Sequence, residues 1–292
     1  MRKAPRTTGE AARATRPAKA KNAATPPSRQ TRARLDVALV ERGLAPTREK
    51  AARLIMAGSV RMNGQLADKS SALVDSRARL EVVEPARFVS RGGDKLAHAL
   101  QVFGISAKAR ICLDVGASTG GFTHCLLEAG AVRVYSVDVG QGQLDASLRA
   151  DGRVVVMERT NARQLTVDAF PQLPQLATVD VSFISLEKVL PAIHSVLSFD
   201  GEAVILIKPQ FEVGKGQVGK GGVVRDGSQH REVMERLARY CVLHGWHVRA
   251  VTASPLKGPK GNREFFLHIA LTGRTGSDLS AEIERLTTEA PV

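Results

Sequence analysis

Asp114-Val-Gly-Ala-Ser-Thr-Gly-Gly-Phe122 follows the apolar run Ile111-Cys-Leu113 and precedes residues that read as a helix. A strand that ends in a glycine-rich turn and restarts as a helix suits a nucleotide, because glycine turns sharply and lets a ligand approach without a Cβ in the way. The spacing is D-x-G-x-x-x-G-G, not the G-x-G-x-x-G of dinucleotide-binding folds. Outward from this loop, strands are expected at 111–115, 132–139, 154–157, 179–183, 203–207 and 265–270. They alternate with helical stretches, as a parallel α/β sheet requires, so the fold class is a doubly wound, Rossmann-like sheet over residues 110–275. The second strand ends at Asp138, where a carboxylate can accept hydrogen bonds from both ribose hydroxyls of a cofactor.

The loop resembles motif I of the S-adenosylmethionine-dependent methyltransferases. That resemblance implies an S-adenosylmethionine cofactor held by Asp114, Gly116, Ser118, Gly120, Gly121 and Phe122, with Asp138 on the ribose. Asn161-Ala162, just after the third strand, sits where such folds contact the adenine, and Gly140-Gln-Gly-Gln-Leu144 offers a loop to lie over the adenosine.

Ahead of the sheet, Arg34-Leu-Asp-Val-Ala-Leu-Val-Glu-Arg-Gly43 spaces apolar residues at helical intervals. Thr47 is a candidate N-cap for a second helix that Gly58 closes, and Val60-Arg-Met62 leads into Asn63-Gly64, the dipeptide favoured in type I′ hairpins. Arg34, Arg42, Arg48, Lys50 and Arg53 fall on the polar faces of these helices and Arg61 on the strand. Residues 32–84 thus resemble the small α+β S-four-like RNA-binding domain, which makes these six cations the expected RNA-binding residues.

The charge map agrees. Of a formal net charge of +13, residues 1–31 hold eight Lys or Arg against one acid and residues 32–80 ten against five, leaving +1 for the other 212 residues. Basicity concentrated at one end draws phosphate through counterion release, whereas uniform charge only solubilises. Residues 1–31, rich in Pro and Ala, read as a disordered basic tail, residues 85–109 as a linker bearing Lys95, and residues 276–292 as a C-terminal helix and tail.

Near the expected strand ends stand Lys95 in Ser90-Arg-Gly-Gly-Asp-Lys-Leu96, Asp180 in Asp180-Val-Ser-Phe183, Lys208 in Leu206-Ile-Lys-Pro-Gln-Phe-Glu212, and Glu264 in Gly261-Asn-Arg-Glu-Phe-Phe266. Amino-group methyltransferases usually carry an N/D-P-P-Y/F loop after the fourth strand, and cytosine C5 enzymes need a nucleophilic Cys there; this chain has neither. Lys95, Asp180, Lys208 and Glu264 resemble the K-D-K-E tetrad of FtsJ-type ribose 2′-O-methyltransferases, and the surrounding words resemble the TlyA family of rRNA methyltransferases over residues 32 to about 272. The resemblance implies 2′-O-methylation of cytidine in ribosomal RNA, on the large subunit and in some members also the small. Lys208 is the expected base and Lys95 the residue that positions the hydroxyl; a lysine base near neutrality has to be desolvated or set beside another cation. Ser277 to Ala290 reads as a helix and resembles the longer family variant that acts on both subunits.

Cys112, Cys125 and Cys241 show no C-x-x-C spacing, so neither a disulfide framework nor a metal site is signalled. No apolar run approaches the ~20 residues of a membrane span. A cytoplasmic enzyme with ribosomal RNA or ribosomal subunits as partner is expected, without membrane or metal. A non-catalytic assembly factor and a haemolytic pore former, the latter suggested by the family's other name, are the rivals.

Overall fold

The computed structural model describes residues 32–56, 59–67, 69–83, 87–214, 216–219, 221–258, 260–276 and 278–288. The basic tail, Gly58, Lys215, Lys220 and Ser277 lie outside the described residues. Contacts divide the chain into two units, Met1–Glu84 and Pro85–Val292.

In the first unit, strand β1 (Arg32–Arg34) runs into helix α1 (Leu35–Glu41), followed by α2 (Arg48–Met56), β2 (Val60–Met62), β3 (Gln65–Leu66), β4 (Leu73–Asp75) and β5 (Leu80–Val82). The expected first helix therefore starts one residue later than read, because Arg34 pairs with Leu73 in an antiparallel β1–β4 ladder. Lys50 N donates to Thr47 Oγ1 at 3.2 Å, which caps α2. Asn63 and Gly64 both take positive φ, 52° and 82°, as a two-residue I′ turn between β2 and β3 demands. Leu35, Leu39, Ala51, Ile55, Val60, Val74 and Leu80 close a small core.

The second unit begins with helix α3 (Arg91–Phe103), so the stretch read as a linker holds a helix of 13 residues. Then come β6 (Ile111–Val115), α4 (Gly121–Glu128), β7 (Arg133–Val137), α5 (Ala146–Arg149), β8 (Val154–Met157), β9 (Leu176–Val179), α6 (Leu190–Val196), β10 (Glu202–Ile207), α7 (Pro209–Glu212), α8 (Gly227–Leu243), β11 (His247–Ala253), β12 (Phe265–Ala270) and α9 (Leu279–Thr288). The sheet has seven strands in the order β11-β12-β10-β9-β6-β7-β8. It is mixed: β12 is inserted antiparallel between β10 and β11, and the other neighbours are parallel. Strand β11 was not foreseen. It is an edge strand whose alternation is broken by a register shift between Val248 and Ala250, so its pattern is not the period of two that marks a strand. The fourth strand was placed three residues late, since β9 ends at Val179 and Asp180 to Phe183 leave the sheet.

Alternating strand residues feed two cores. Cys112, Val134, Leu206 and Phe266 pack under α3 and α4 on one face, and Leu113, Val137, Ile205 and Leu267 pack under α6, α8 and α9 on the other. All three thiols are buried. Among the described residues no helix is long and apolar enough to cross a membrane.

Candidate active site

At the end of β6 the chain must clear the loop after β9. Asp180 N donates to Val115 O at 2.8 Å, and a Cβ on Gly116 would sit 2.4 Å from the Asp180 carbonyl oxygen. Only glycine fits that approach, and its φ of +85° is in the region glycine favours. Gly120 caps α4 at φ 95°. A Cβ on Gly121 would lie 2.1 Å from Ser90 Oγ, so the loop and the start of α3 interlock.

Asp114 had been expected on the cofactor and is not in the cleft. It is fully buried, where it accepts from Thr123 Oγ1 at 2.7 Å and Thr178 Oγ1 at 3.3 Å. Burial pushes its carboxyl up to about 7 against those hydrogen bonds. Its part is to anchor the loop from behind. Phe122, also expected on the cofactor, turns its ring into the core, with its centroid 6.2 Å from that of Phe266. Asp138 stitches two turns together, accepting from Ser118 N at 2.8 Å and Gly140 N at 2.7 Å. A carboxylate oxygen has more than one lone pair, so both remain able to meet ribose hydroxyls.

A cleft of about 550 Å³ opens over these strand ends, lined by Gly116, Ser118, Asp138, Asn161, Ala162 and Asp180 among others. Its walls include Val137, Val139, Ile184 and Val189, so an apolar slot ends in convergent polar groups, the composition of a nucleoside site. Asn161 Oδ1 accepts from Arg163 N at 3.1 Å, which fixes the turn that borders the slot. Gln143, from the loop expected over the adenosine, also lines the cleft, and Gly142 of that loop is tied to Glu158 at 2.8 Å. Gly121 and Phe122 border a second hollow of about 230 Å³, which shares Gly116, Ser118 and Asp180 with the first and is lined by Lys95.

The four charged residues resolve into two pairs. Ser90 caps α3 by accepting from Gly92 N, which sets Lys95 one turn into the helix. Lys95 Nζ meets Glu264 Oε2 at 2.5 Å, with side chains only 9% and 1% exposed. Glu264 stands immediately before β12, and its other oxygen, Oε1, is buried without a hydrogen-bond partner among the described residues. Lys208, at the end of β10, lies 2.5 Å from Asp180 Oδ1, with side chains 12% and 24% exposed. That is a close ion contact without hydrogen-bond alignment; the aligned bond from Lys208 Nζ goes to Ser182 Oγ at 2.9 Å. Ser182 lies within Asp180-Val-Ser-Phe183, where nothing in the spacing marks it out.

Glu212 was missed as well. It accepts from Ser185 Oγ and Leu186 N, both at 2.8 Å, and so ties the loop bearing Asp180 to the segment after Lys208. Burial raises its carboxyl above the ordinary range. The only signal in the sequence was an acid closing the Lys-Pro-Gln-Phe-Glu run. Phe183, 90% exposed at φ 64°, stands beside Phe211 with centroids 4.9 Å apart.

In the first unit the six expected RNA cations divide. Arg34 and Arg48 both hold Asp36, at 3.0 and 3.2 Å. Arg42 clasps the carbonyls of Asp75, Ser76 and Ala78, and Arg61 bonds Gly64 O at 3.1 Å. These four thus also hold the domain together. Lys50 and Arg53 are exposed and have no side-chain ion pair among the described residues.

Comparison with known proteins matches residues 88–271 to the FtsJ-like methyltransferase family and residues 33–80 to the S4 domain. The chain is 50% identical over 267 residues to the 16S/23S rRNA (cytidine-2'-O)-methyltransferase TlyA of Mycobacterium tuberculosis (strain ATCC 25618 / H37Rv), covering 89% of this chain and 99% of the relative. It is 41% identical over 239 residues to Hemolysin A of Brachyspira hyodysenteriae, covering 82% and 100% respectively. The solved structure of a "putative hemolysin from Streptococcus thermophilus" superposes with a TM-score of 0.69 at 42% identity over 88% of this chain and 95% of that one.

Proposed function

The chain belongs to the FtsJ-like methyltransferase family and carries an S4 domain ahead of it, and on that premise we propose that it methylates the 2′-hydroxyl of a cytidine in ribosomal RNA. The observation that carries this reading is the pair of lysine–carboxylate contacts, Lys95–Glu264 and Lys208–Asp180, beside a nucleoside-sized cleft. S-adenosylmethionine, when bound, supplies a methyl group on a sulfonium sulfur, which leaves with the electron pair of the broken C–S bond. Asp138 takes the cofactor ribose, and Asn161 and Ala162 border its base, while Gly116, Ser118, Gly120 and Gly121 keep the backbone close to its remaining atoms.

The acceptor is a weakly acidic hydroxyl, so the enzyme has to align it and remove its proton as the O–C bond forms. Lys208 receives that proton, and Asp180 and Ser182 hold the ammonium that results. Lys95, kept in place by Glu264, donates to the hydroxyl oxygen and directs its lone pair. Phe183 offers the target base a ring to stack on, and stacking of this kind contributes about 1–3 kcal/mol per base.

Folded RNA is gripped by shape and phosphate, since A-form grooves hide base edges from side chains. In the S4 domain Lys50 and Arg53 make direct phosphate contacts, and Arg34, Arg42, Arg48 and Arg61 add exposed guanidinium edges while they hold the domain together. Ribosomal RNA as substrate puts the enzyme in the cytoplasm. The large subunit is the target, and the small subunit as well, as the name of the mycobacterial relative has it.

Transfer of labelled methyl from S-adenosylmethionine to ribosomal RNA, followed by mapping of 2′-O-methyl positions, tests the reading. Lys208→Ala should lower transfer by about 10²–10⁴-fold while cofactor binding stays intact. Full transfer by Lys208→Ala, or no transfer by the wild type to naked rRNA or to either subunit, overturns it; the second result would favour a non-catalytic assembly factor.

A further inference from the structure

Beyond the S4 domain, the second unit is close to neutral, with a net charge of +3 over the 208 residues 85–292. One part of it departs from that balance. The loop between β11 and β12 carries Lys257 and Lys260, and the segment ahead of α8 carries Arg225; all three are exposed and have no charged partner among the described residues. The acids of the same two segments face elsewhere. Glu264 is buried against Lys95, and Asp226 turns to the start of α8, where it accepts from Ser228 N at 2.9 Å.

The two segments form one platform, latched from inside by Asn262. This side chain is buried, accepts from Val224 N at 2.9 Å and donates to Gly222 O at 2.9 Å. Its own carbonyl accepts from Gly258 N at 2.9 Å, which tightens the loop on itself. Lys260 reaches across to the other segment, so that a Cβ on Gly222 would lie 3.4 Å from its Nζ. The platform is also fixed to the catalytic pair, since a Cβ on Gly258 would lie 2.5 Å from Glu264 Oε1. Exposed lysine and arginine side chains on a mobile loop would only solubilise. Here they project from backbone held by a buried amide, and the loop bearing Lys257 and Lys260 meets Glu264 through Gly258.

We infer that Arg225, Lys257 and Lys260 form a phosphate-binding rim of the methyltransferase unit itself, which holds the RNA backbone flanking the target nucleotide. The inference rests on the proposed RNA substrate. Every ribose within a strand has a phosphate on either side, so a hydroxyl delivered to Lys95 brings backbone phosphate to the edge of the site. Lysine suits such a contact because it acts as a point charge that tolerates any sequence, and the contact adds affinity without reading a base.

The test uses the full chain with deproteinised ribosomal RNA and, separately, single-stranded polycytidine as probes. Binding is measured over a range of salt concentrations for the wild type, for Lys257→Ala/Lys260→Ala and for Arg225→Ala. Each cation removed should lower the slope of log affinity against log salt by about 0.7–0.9. The double variant should raise the RNA KM about tenfold for two lost phosphate contacts, with cofactor affinity and melting temperature unchanged. A wild-type slope and KM in both variants overturn the rim. If the slope changes but the wild type transfers no methyl group to any ribosomal RNA, the rim stands and the proposed reaction fails. If transfer occurs and the slope is unmoved, the reaction stands and the rim fails.

Discussion

Lys95 and Lys208 have side chains 9% and 12% exposed, and among the described residues each faces a single carboxylate. Arg34 and Arg48, at 46% and 60%, share Asp36 between them, and Arg42 of the same domain meets, among the described residues, only backbone carbonyls. The same charge is handled in two ways because water reaches the two regions differently. In the cleft the lysine side chains have lost most of their hydration, so each depends on the carboxylate beside it. In the S4 domain solvent still screens the guanidinium groups, and their contacts fix loop geometry more than they neutralise charge. The lysines proposed as catalytic can thus be unmade by one substitution, while the proposed RNA face should fail by degrees.

The largest effect is expected from Glu264→Ala, which leaves Lys95 buried without its counter-charge and should cost about 3–5 kcal/mol of stability. The paired change Lys95→Met/Glu264→Leu should recover most of that loss, because no unpaired charge is then left inside. Urea midpoints of the three proteins decide the matter; a single variant as stable as the wild type would erase the distinction between the regions.

Next in size is a pH effect that sets two aspartates against each other. Burial lifts Asp114 from 3.8 to about 7, so the folded state keeps a proton that the unfolded chain has released. Stability should therefore fall as pH rises from about 4 to 7, by up to about 1.4 kcal/mol per unit, and level off above that. Asp114→Asn should flatten this slope in urea titrations at pH 5 and pH 8. Asp36 is the reverse case. The hydrogen bond from Arg34 leads the effects that hold it down at about 2, so its contribution is complete above about pH 4 and lost as pH falls through 2. Asp36→Asn should remove that acid-side loss, read from hydrogen exchange in α1.

Smaller again, Arg42→Ala should cost about 1–2 kcal/mol through the carbonyls it leaves without a donor, seen as faster exchange around Asp75 to Ala78. The smallest effect on folding belongs to Lys50→Ala/Arg53→Ala, which should leave the melting temperature unchanged. Its signature is a shallower salt dependence of RNA binding, by about 1 for each cation. If this double variant instead destabilised the chain and Arg42→Ala did not, the assignment of structural and RNA-facing cations would be inverted.

Most of the sheet and the loop at its centre were legible because they are local. The strand at 111–115, the turn through Gly116 and the helix after Gly120 follow from spacing and from glycine at positions where φ is positive. The Asn63-Gly64 hairpin was legible for the same reason. Strand β11 was not, since its bulge breaks the alternation, and the antiparallel insertion of β12 depends on neighbours distant in sequence. Ser182 and Glu212 escaped because their significance lies in whom they hold, and no spacing within the chain announces that.

By itself the sequence determined the fold class, the glycine-rich loop after β6 and the identity of the four charged residues, since residue type and short-range periodicity act on the backbone directly. Only the tertiary structure decided how those residues are partnered. Lys95 and Glu264 are 169 residues apart and meet because α3 packs against the sheet that β12 joins. Asp114 was turned from a ligand residue into an anchor, and Arg42 gained a second part as a clasp, because burial and proximity are properties of packing that no single stretch of chain contains.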